Sequence, residues 1–364
     1  MSTSFYAVIM AGGGGTRLWP LSRRHQPKQT LKLFDERSLF QVAVERIEPI
    51  IPPENIFIVT VAEQAALLQP QAPQIPEDHF ILEPEPRGTA SVVGLAAAIL
   101  QAHDSDAVMA VLTADHYIGN TTQFRALLSA AEELAREGDL VTLGIKPDHP
   151  ETGYGYIQQG ESRGIFQGFP AFSVRSFKEK PTRDVAEQYL KSGKYIWNSG
   201  MFVWRTDRIL EEFKRQMPEL NAALDRIRAA LIDGPADEVI AKEWEHLVPE
   251  TIDYGIMEGA QNVSVLPAGE LGWLDVGGWG RFFDLYKPDE NGNIILGGAP
   301  ILRDTHDTLV YQSGEGQRKI ALLGVDHLVI VDVGDALFIC DRDEAERVRD
   351  IVKHLKDVNE VALL

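Results

Sequence analysis

Cysteine is nearly absent. Cys340 stands alone in 364 residues, so the chain holds neither an internal disulfide framework nor a cysteine-ligated zinc site. Long apolar runs are missing as well. None approaches the roughly 18 residues that span a bilayer, and the N-terminus carries no basic-then-apolar signal. The expectation is a soluble, cytoplasmic protein with no membrane partner. Positive charge is scarce: 35 Lys and Arg face 54 Asp and Glu, a net charge of −19. That balance argues against nonspecific nucleic-acid binding, which needs a basic face. The apolar content of 44% is ordinary for a globular core. The length suits one large α/β domain with a small one, or two comparable domains.

An acidic chain that handles anions must gather its cations locally, and residues 17–28 do so with Arg17, Arg23, Arg24 and Lys28. The apolar run Ala7 to Ala11 reads as a buried strand. Gly12, Gly13, Gly14 and Gly15 follow, then Thr16 and Arg17. Glycines let the backbone turn sharply and approach a ligand closely. Successive free N–H groups form an anion nest, to which Arg17 and Lys28 add full charge. This is the chemistry of a phosphate site, with a glycine-rich turn and solvated arginines as the plainer reading. A P-loop would place Lys-Ser or Lys-Thr after its last glycine, and here Thr16-Arg17 follows. A dinucleotide fingerprint would open a helix, which Pro20 and Pro27 oppose.

Strand and helix patterns then alternate. Strands are expected at 56–61, 79–83, 107–113 and 139–145, and helices from Ser38, over 63–68, 89–103 and 122–137. Short connections between them indicate a mostly parallel sheet covered by helices, an α/β fold. Glu83, Arg87, Gly88 and Thr89 sit where a strand end meets a helix start, a ready site for an anion or a polar base edge, or an ordinary capped helix. Asp115 lies at the carboxyl end of a buried strand, where open α/β sheets bind ligands. A carboxylate there suits Mg²⁺, and capping of the next turn stays open as its alternative.

Farther on, Gly153-Tyr154-Gly155-Tyr156, Glu179-Lys180-Pro181 and Trp197-Asn198-Ser199-Gly200 offer what a sugar phosphate needs. These are a carboxylate and an amide for hydroxyls, an aromatic face, and a lysine for phosphate. Each segment alone is equally a turn between strands. Residues 207–247 read as amphipathic helices broken near Pro218 and at Gly234-Pro235. Asp253 and Tyr254 follow in Thr251-Ile252-Asp253-Tyr254, with a helix cap as the alternative for Asp253. From about residue 289 the chain gives short strands at 294–296, 308–311, 319–323, 328–333 and 336–340, then an amphipathic helix over 344–356. The expected division is a catalytic domain over 1–288 and a small β module over 289–364, with Cys340 in its core.

The stretch Gly12-Gly13-Gly14-Gly15-Thr16-Arg17-Leu18-Trp19-Pro20-Leu21-Ser22-Arg23, with Pro27-Lys28-Gln29, resembles the signature of the sugar-phosphate nucleotidylyltransferases, in the wording of the mannose-1-phosphate guanylyltransferase group. The three sugar segments and Trp273-Leu274-Asp275-Val276-Gly277-Gly278-Trp279 resemble further motifs of that family, in its order. Gly88 stands where many members carry Asn, and Gly278 where they carry Ser. The resemblance implies a Rossmann-like, mostly parallel mixed sheet and a C-terminal module like a short left-handed β-helix. It implies GTP and mannose 1-phosphate as substrates and GDP-mannose and diphosphate as products. The glycine loop and Arg17 would hold the triphosphate, Lys28 the transferring phosphate, and Glu83, Arg87, Gly88 and Thr89 the base. Asp115 and Asp275 would hold Mg²⁺. Gly155, Glu179, Asn198, Asp253 and Tyr254 would receive the mannose, and Lys180 its phosphate. A homodimer is implied too. Two other readings stay open: the same chemistry with another nucleotide or sugar, and a regulatory paralogue that only senses GDP-mannose.

Overall fold

The computed structural model of the chain describes residues 4–313 and 318–364. It divides into two compact units. One comprises residues up to 12, 41–114 and 118–273; the other comprises 13–40, 115–117 and 274–364.

The first unit is built on a nine-stranded sheet. Its strands are β1 (Phe5–Met10), β2 (Ile56–Thr60), β3 (Phe80–Leu82), β4 (Val108–Thr113), β6 (Leu140–Ile145), β7 (Tyr156–Phe166), β8 (Phe169–Lys178), β9 (Tyr195–Arg205) and β10 (Val263–Pro267). The intervening β5 (His116–Ile118) stands outside this sheet and pairs with β11 (Trp273–Asp275) as a two-stranded ribbon. The order in the large sheet is β3-β2-β1-β4-β9-β6-β10-β8-β7. β1 runs parallel to β2 and β4, and β10 parallel to β6, whereas β9 is antiparallel to both β4 and β6. The expected mostly parallel mixed sheet is what forms. β1 and β4 are apolar along their length because both their faces are covered. The β7–β8 hairpin, turning at Gln167 and Gly168, was not expected, because its alternation is diluted by polar residues.

Helices α1 (Leu39–Ile47), α2 (Ala62–Leu68), α3 (Thr89–His103), α4 (Thr121–Arg136), α6 (Thr206–Gln216), α7 (Pro218–Asp233) and α8 (Asp237–Trp244) fall where helices were expected, and α5 (Arg183–Ser192) was not expected. α3 is buried on nearly every side, which explains its run of Ala, Val and Leu. It packs with α6 and α7 over a core that includes Val111, Trp204, Phe213 and Trp244. α4 begins at Asn120, whose side chain accepts the Gln123 N–H at 3.0 Å.

The second unit joins the glycine loop to the C-terminal module through one apolar core, including Leu18, Trp19, Trp279, Phe282, Val329 and Phe338. Strands β12 (Ile294–Leu296), β14 (Leu309–Gln312) and β16 (Leu328–Asp332) run parallel, and β17 (Leu337–Asp341) closes the sheet antiparallel. β13 (Ile301–Arg303) and β15 (Ala321–Leu323) form a second, parallel layer. β13 is too short to read from its residues. Two short helices, α9 (Phe282–Leu285) and α10 (Val348–Asp357), pack in the same unit, and a 3₁₀ segment at Arg342–Arg347 precedes α10. The Trp19 indole donates to the Leu363 carbonyl at 2.7 Å, and the Trp279 indole donates to the Trp19 carbonyl at 2.9 Å. Arg23 is buried in a two-pronged pair with Asp335, at 2.6 and 2.7 Å. Among the described residues, no helix is long and apolar enough to cross a membrane.

Candidate active site

The candidate residues fall into groups that lie in one unit or the other. In the second unit, Gly15 has φ +59, and a Cβ there would lie 2.5 Å from Lys28 Cβ, so only glycine fits. Gln29 Nε2 donates to the Gly13 carbonyl at 3.0 Å, and the Ser22 hydroxyl donates to that of Gly14 at 3.3 Å. These bonds turn the loop's carbonyls toward side chains. Lys28 is buried at the start of a 3₁₀ turn, Lys28–Thr30. Its ammonium lies 2.7 Å from Asp115 Oδ2 and 3.8 Å from Asp275 Oδ1. Asp115 directly precedes β5 and Asp275 ends β11, so the pairing of those two strands sets the carboxylates side by side. Burial by itself would raise the Asp115 carboxyl. The charges of Lys28 and His116 and the Lys28 hydrogen bond outweigh it and hold that carboxyl well below the usual carboxylate range.

Asp115, His116 and Asp275 each offer a ligand atom, all within 4.8 Å of one another. Two carboxylates and an imidazole suit a divalent cation, and the Lys28 ammonium already seats a positive charge against both carboxylates. His116, expected from the sequence to be structural, joins the set. Arg17 reaches Glu346 only at 3.7 Å, with both side chains exposed, a weak tether. A Cβ on Gly278 would meet Glu346 Oε1 at 2.5 Å, the tip of an exposed side chain.

In the first unit, Glu83 is buried directly after β3, where its N–H donates to the Thr60 carbonyl at 2.9 Å. Its Oε2 has no partner, and Oε1 lies 2.9 Å from where a Cβ on Gly12 would stand. Burial pushes its carboxyl up to about 7, against the opposing pull of a backbone bond from Arg87. Gly88 has φ +83, and a Cβ there would run into the Glu250 carbonyl. That clash is the local reason for glycine where the resembling family often has Asn. Thr89 is spent on architecture: its hydroxyl accepts the Ile252 N–H at 2.9 Å. Arg87 pairs with Glu85 and also reaches the Glu245 carbonyl.

A second group in the same unit gathers around β9. Its register against β6 shifts between Thr142 and Gly144, and Asn198 faces Gly144 across the shift. The Asn198 N–H donates to the Gly155 carbonyl at 2.8 Å, and its Nδ2 donates to Asp253 Oδ1 at 2.9 Å. Glu179 is buried, with Oε1 3.1 Å from the Lys180 ammonium and Oε2 unpartnered. A Cβ on Gly155 would collide with that Oε2, so the glycine leaves the carboxylate its room. Asp253 opens a π-helical turn, Asp253–Met257, which was not expected from the sequence. Burial, then the neighbouring Glu179, pushes its carboxyl up to about 7, with Lys180 and Asn198 opposing. The Tyr254 hydroxyl donates to the Glu179 carbonyl at 3.4 Å. Gly155, Glu179, Lys180, Asn198, Asp253 and Tyr254 are thus brought together. Sequence reasoning missed two supports. Thr142 bonds Asn198, and Glu258 accepts the Glu179 N–H at 3.1 Å. The Cys340 thiol is half-buried and pushed up to about 11 by burial and the adjacent acids, in keeping with a core residue.

The nucleotidyl transferase family model matches residues 6–292, and a MannoseP isomerase/GMP-like beta-helix domain model matches 298–355. Mannose-1-phosphate guanylyltransferase RfbM of Salmonella typhimurium is 38% identical over 363 residues, covering 97% of this chain and 73% of that protein. Mannose-1-phosphate guanylyltransferase of Escherichia coli K12 is 37% identical over 361 residues, covering 97% and 74%. A crystal structure described as mannose-1-phosphate geranyltransferase from Thermus thermophilus is 36% identical with a TM-score of 0.86. The match covers 97% of this chain and all of that one.

Proposed function

The chain belongs to the nucleotidyl transferase family, and we propose that it carries out the mannose-1-phosphate guanylyltransferase reaction. GTP and α-D-mannose 1-phosphate give GDP-mannose and diphosphate. The observation that carries the chemistry is the meeting of Lys28, Asp115 and Asp275 in the unit that holds the glycine loop. The names of relatives that match over nearly all of this chain support the substrate pair.

The sugar-phosphate oxygen attacks the α-phosphorus of GTP in line and diphosphate leaves. The nucleophile is already an anion, so neither a general base nor a covalent enzyme intermediate is needed. Catalysis is then positioning and charge neutralisation. The amides of Gly12, Gly13, Gly14, Gly15 and Thr16, with Arg17, hold the triphosphate. Lys28 neutralises charge on the transferring phosphate. Asp115 and Asp275 would hold Mg²⁺, which when bound polarises phosphate oxygens. The unpartnered Glu83 oxygen accepts from the donor edge of guanine, with Arg87, Gly88 and Thr89 shaping that pocket. Gly155, Glu179, Asn198, Asp253 and Tyr254 receive the mannose hydroxyls, and Lys180 its phosphate. The resemblance also carries a homodimer, which light scattering of the purified protein tests.

The decisive experiment measures diphosphate release with Mg²⁺, offering GTP, ATP, UTP, CTP and dTTP against mannose and glucose 1-phosphates. Release confined mainly to GTP with mannose 1-phosphate is the expected result. Release with another pair overturns the substrate assignment, and silence from folded protein with every pair overturns the reaction.

A further inference from the structure

Thr142 is fully buried in β6, opposite Phe202 of β9 and Val265 of β10. Valine would serve this position more cheaply if packing were all it did, since a buried hydroxyl must find a partner. The Thr142 hydroxyl has two acceptors in reach. Asn198 Oδ1 is 3.0 Å away and the Met201 carbonyl 3.2 Å. It carries one proton. The Gly200 N–H, which can only donate, also points at Asn198 Oδ1, at 3.3 Å. With that proton on Asn198 Oδ1, the nearer of the two acceptors, both lone pairs of that oxygen are engaged from within the fold. Reversing the amide would set an NH₂ group against the Gly200 N–H.

The orientation has a chemical result. With Oδ1 saturated, one Nδ2 hydrogen goes to Asp253 and the other is left to the ligand. Asn198 then meets the sugar as a donor, while Glu179 Oε2, buried and unpartnered, meets it as an acceptor. Resting on the sugar-site reading above, we propose that Thr142 is a positioning residue that locks the Asn198 amide as a hydrogen-bond donor toward the sugar of the sugar-phosphate substrate. It acts through Asn198 and does not itself touch the ligand.

Without the Thr142 hydroxyl, Oδ1 keeps only the longer Gly200 bond, and the preference for this orientation of the amide weakens. Part of the population then offers an acceptor where the sugar hydroxyl needs a donor.

The test compares Thr142→Val, which keeps shape and loses the hydroxyl, with Thr142→Ser, which keeps the hydroxyl and loses the methyl. In the valine variant KM for mannose 1-phosphate should rise about tenfold, the equivalent of one net hydrogen bond. KM for GTP and kcat should stay within about threefold. The serine variant should restore KM for mannose 1-phosphate to near the starting value. Thr142→Ala replaces the valine variant if that one does not fold, with the same expectation. An unchanged KM for mannose 1-phosphate in the valine variant overturns the proposal. So does an equal rise in the valine and serine variants, which would mean packing alone. Absence of mannose 1-phosphate turnover and binding in the unsubstituted protein would overturn the functional reading, and this proposal with it.

Discussion

The Lys28 ammonium sits 2.7 Å from Asp115 Oδ2, buried, and serves as the internal counter-ion of that carboxylate. If Asp115 ligates a cation as proposed, lysine and cation compete for one place. Nucleotide phosphates give the lysine a second partner, so in the proposed reaction the ammonium has somewhere to go when a metal arrives.

From this, Lys28→Ala and Arg17→Ala should each lower kcat by 10²-fold or more, on the order of ~3 kcal/mol of transition-state stabilisation. Steady-state diphosphate release measures it. A drop below about tenfold in both variants would remove these side chains from the transition state.

Metal dependence should follow the same geometry. Chelation should abolish turnover, and added Mg²⁺ should restore it. Asp115→Asn and Asp275→Asn should each raise the Mg²⁺ concentration needed for half-maximal rate. In nucleotide-free protein, Lys28→Met should bind Mn²⁺ more tightly than the unsubstituted chain, because the competing ammonium is gone. Calorimetric titration reads this directly, and weaker binding would sink the competition argument.

Glu83 gives a pH signature. Its folded carboxyl titrates at about 7, above its ordinary 4.5, mainly through burial. A folded value above the unfolded one gives stability that is complete below the unfolded value. It is lost as pH rises through the folded one, here across about 4.5 to 7. Glu83→Gln removes that slope, so its Tm relative to the unsubstituted protein should climb from about pH 5 to about pH 8. The same change should raise KM for GTP roughly tenfold, one charged acceptor being lost. In the unsubstituted protein, GTP affinity should improve as pH rises through about 7. A Tm difference that stays flat over this window would contradict the buried-acid reading.

Gly88 is a stability prediction. At φ +83 and against the Glu250 carbonyl, a side chain has no comfortable place. Gly88→Ala should cost about 1–2 kcal/mol or more of unfolding free energy, read by urea denaturation. Gly88→Asn should fare no better, despite being the commoner residue in the resembling family.

The candidate residues were legible beforehand because they sit at punctuated positions. Lys28 follows a proline, Asp115 ends an apolar run, and Asn198 follows an aromatic two residues before a glycine. Their surroundings advertise them. Thr142 has no such frame. It sits in Leu140-Val141-Thr142-Leu143, an ordinary buried strand, and its partner arrives in a strand far along the chain. Registers between distant strands follow from packing, not from local pattern, so the insertion of β9 between β4 and β6 was hidden as well. The same holds for the Glu250 carbonyl against Gly88, which joins a helix start to a later turn. His116 was read as structural because nothing in the local sequence brings Asp275 next to it.

The two indole bonds around Trp19 change how the most recognisable stretch of the chain should be understood. Trp19 and Arg23 spend their polar atoms on Leu363, Pro20 and Asp335, and the Arg24 N–H reaches the Leu364 carbonyl at 3.2 Å. Half of that stretch is joinery, not chemistry. Trimming residues 361–364 would leave every reactive side chain in place and still unmoor the turn that carries Arg17. An enzymologist who sees activity vanish after such a trim should look for a slackened turn before suspecting a lost ligand.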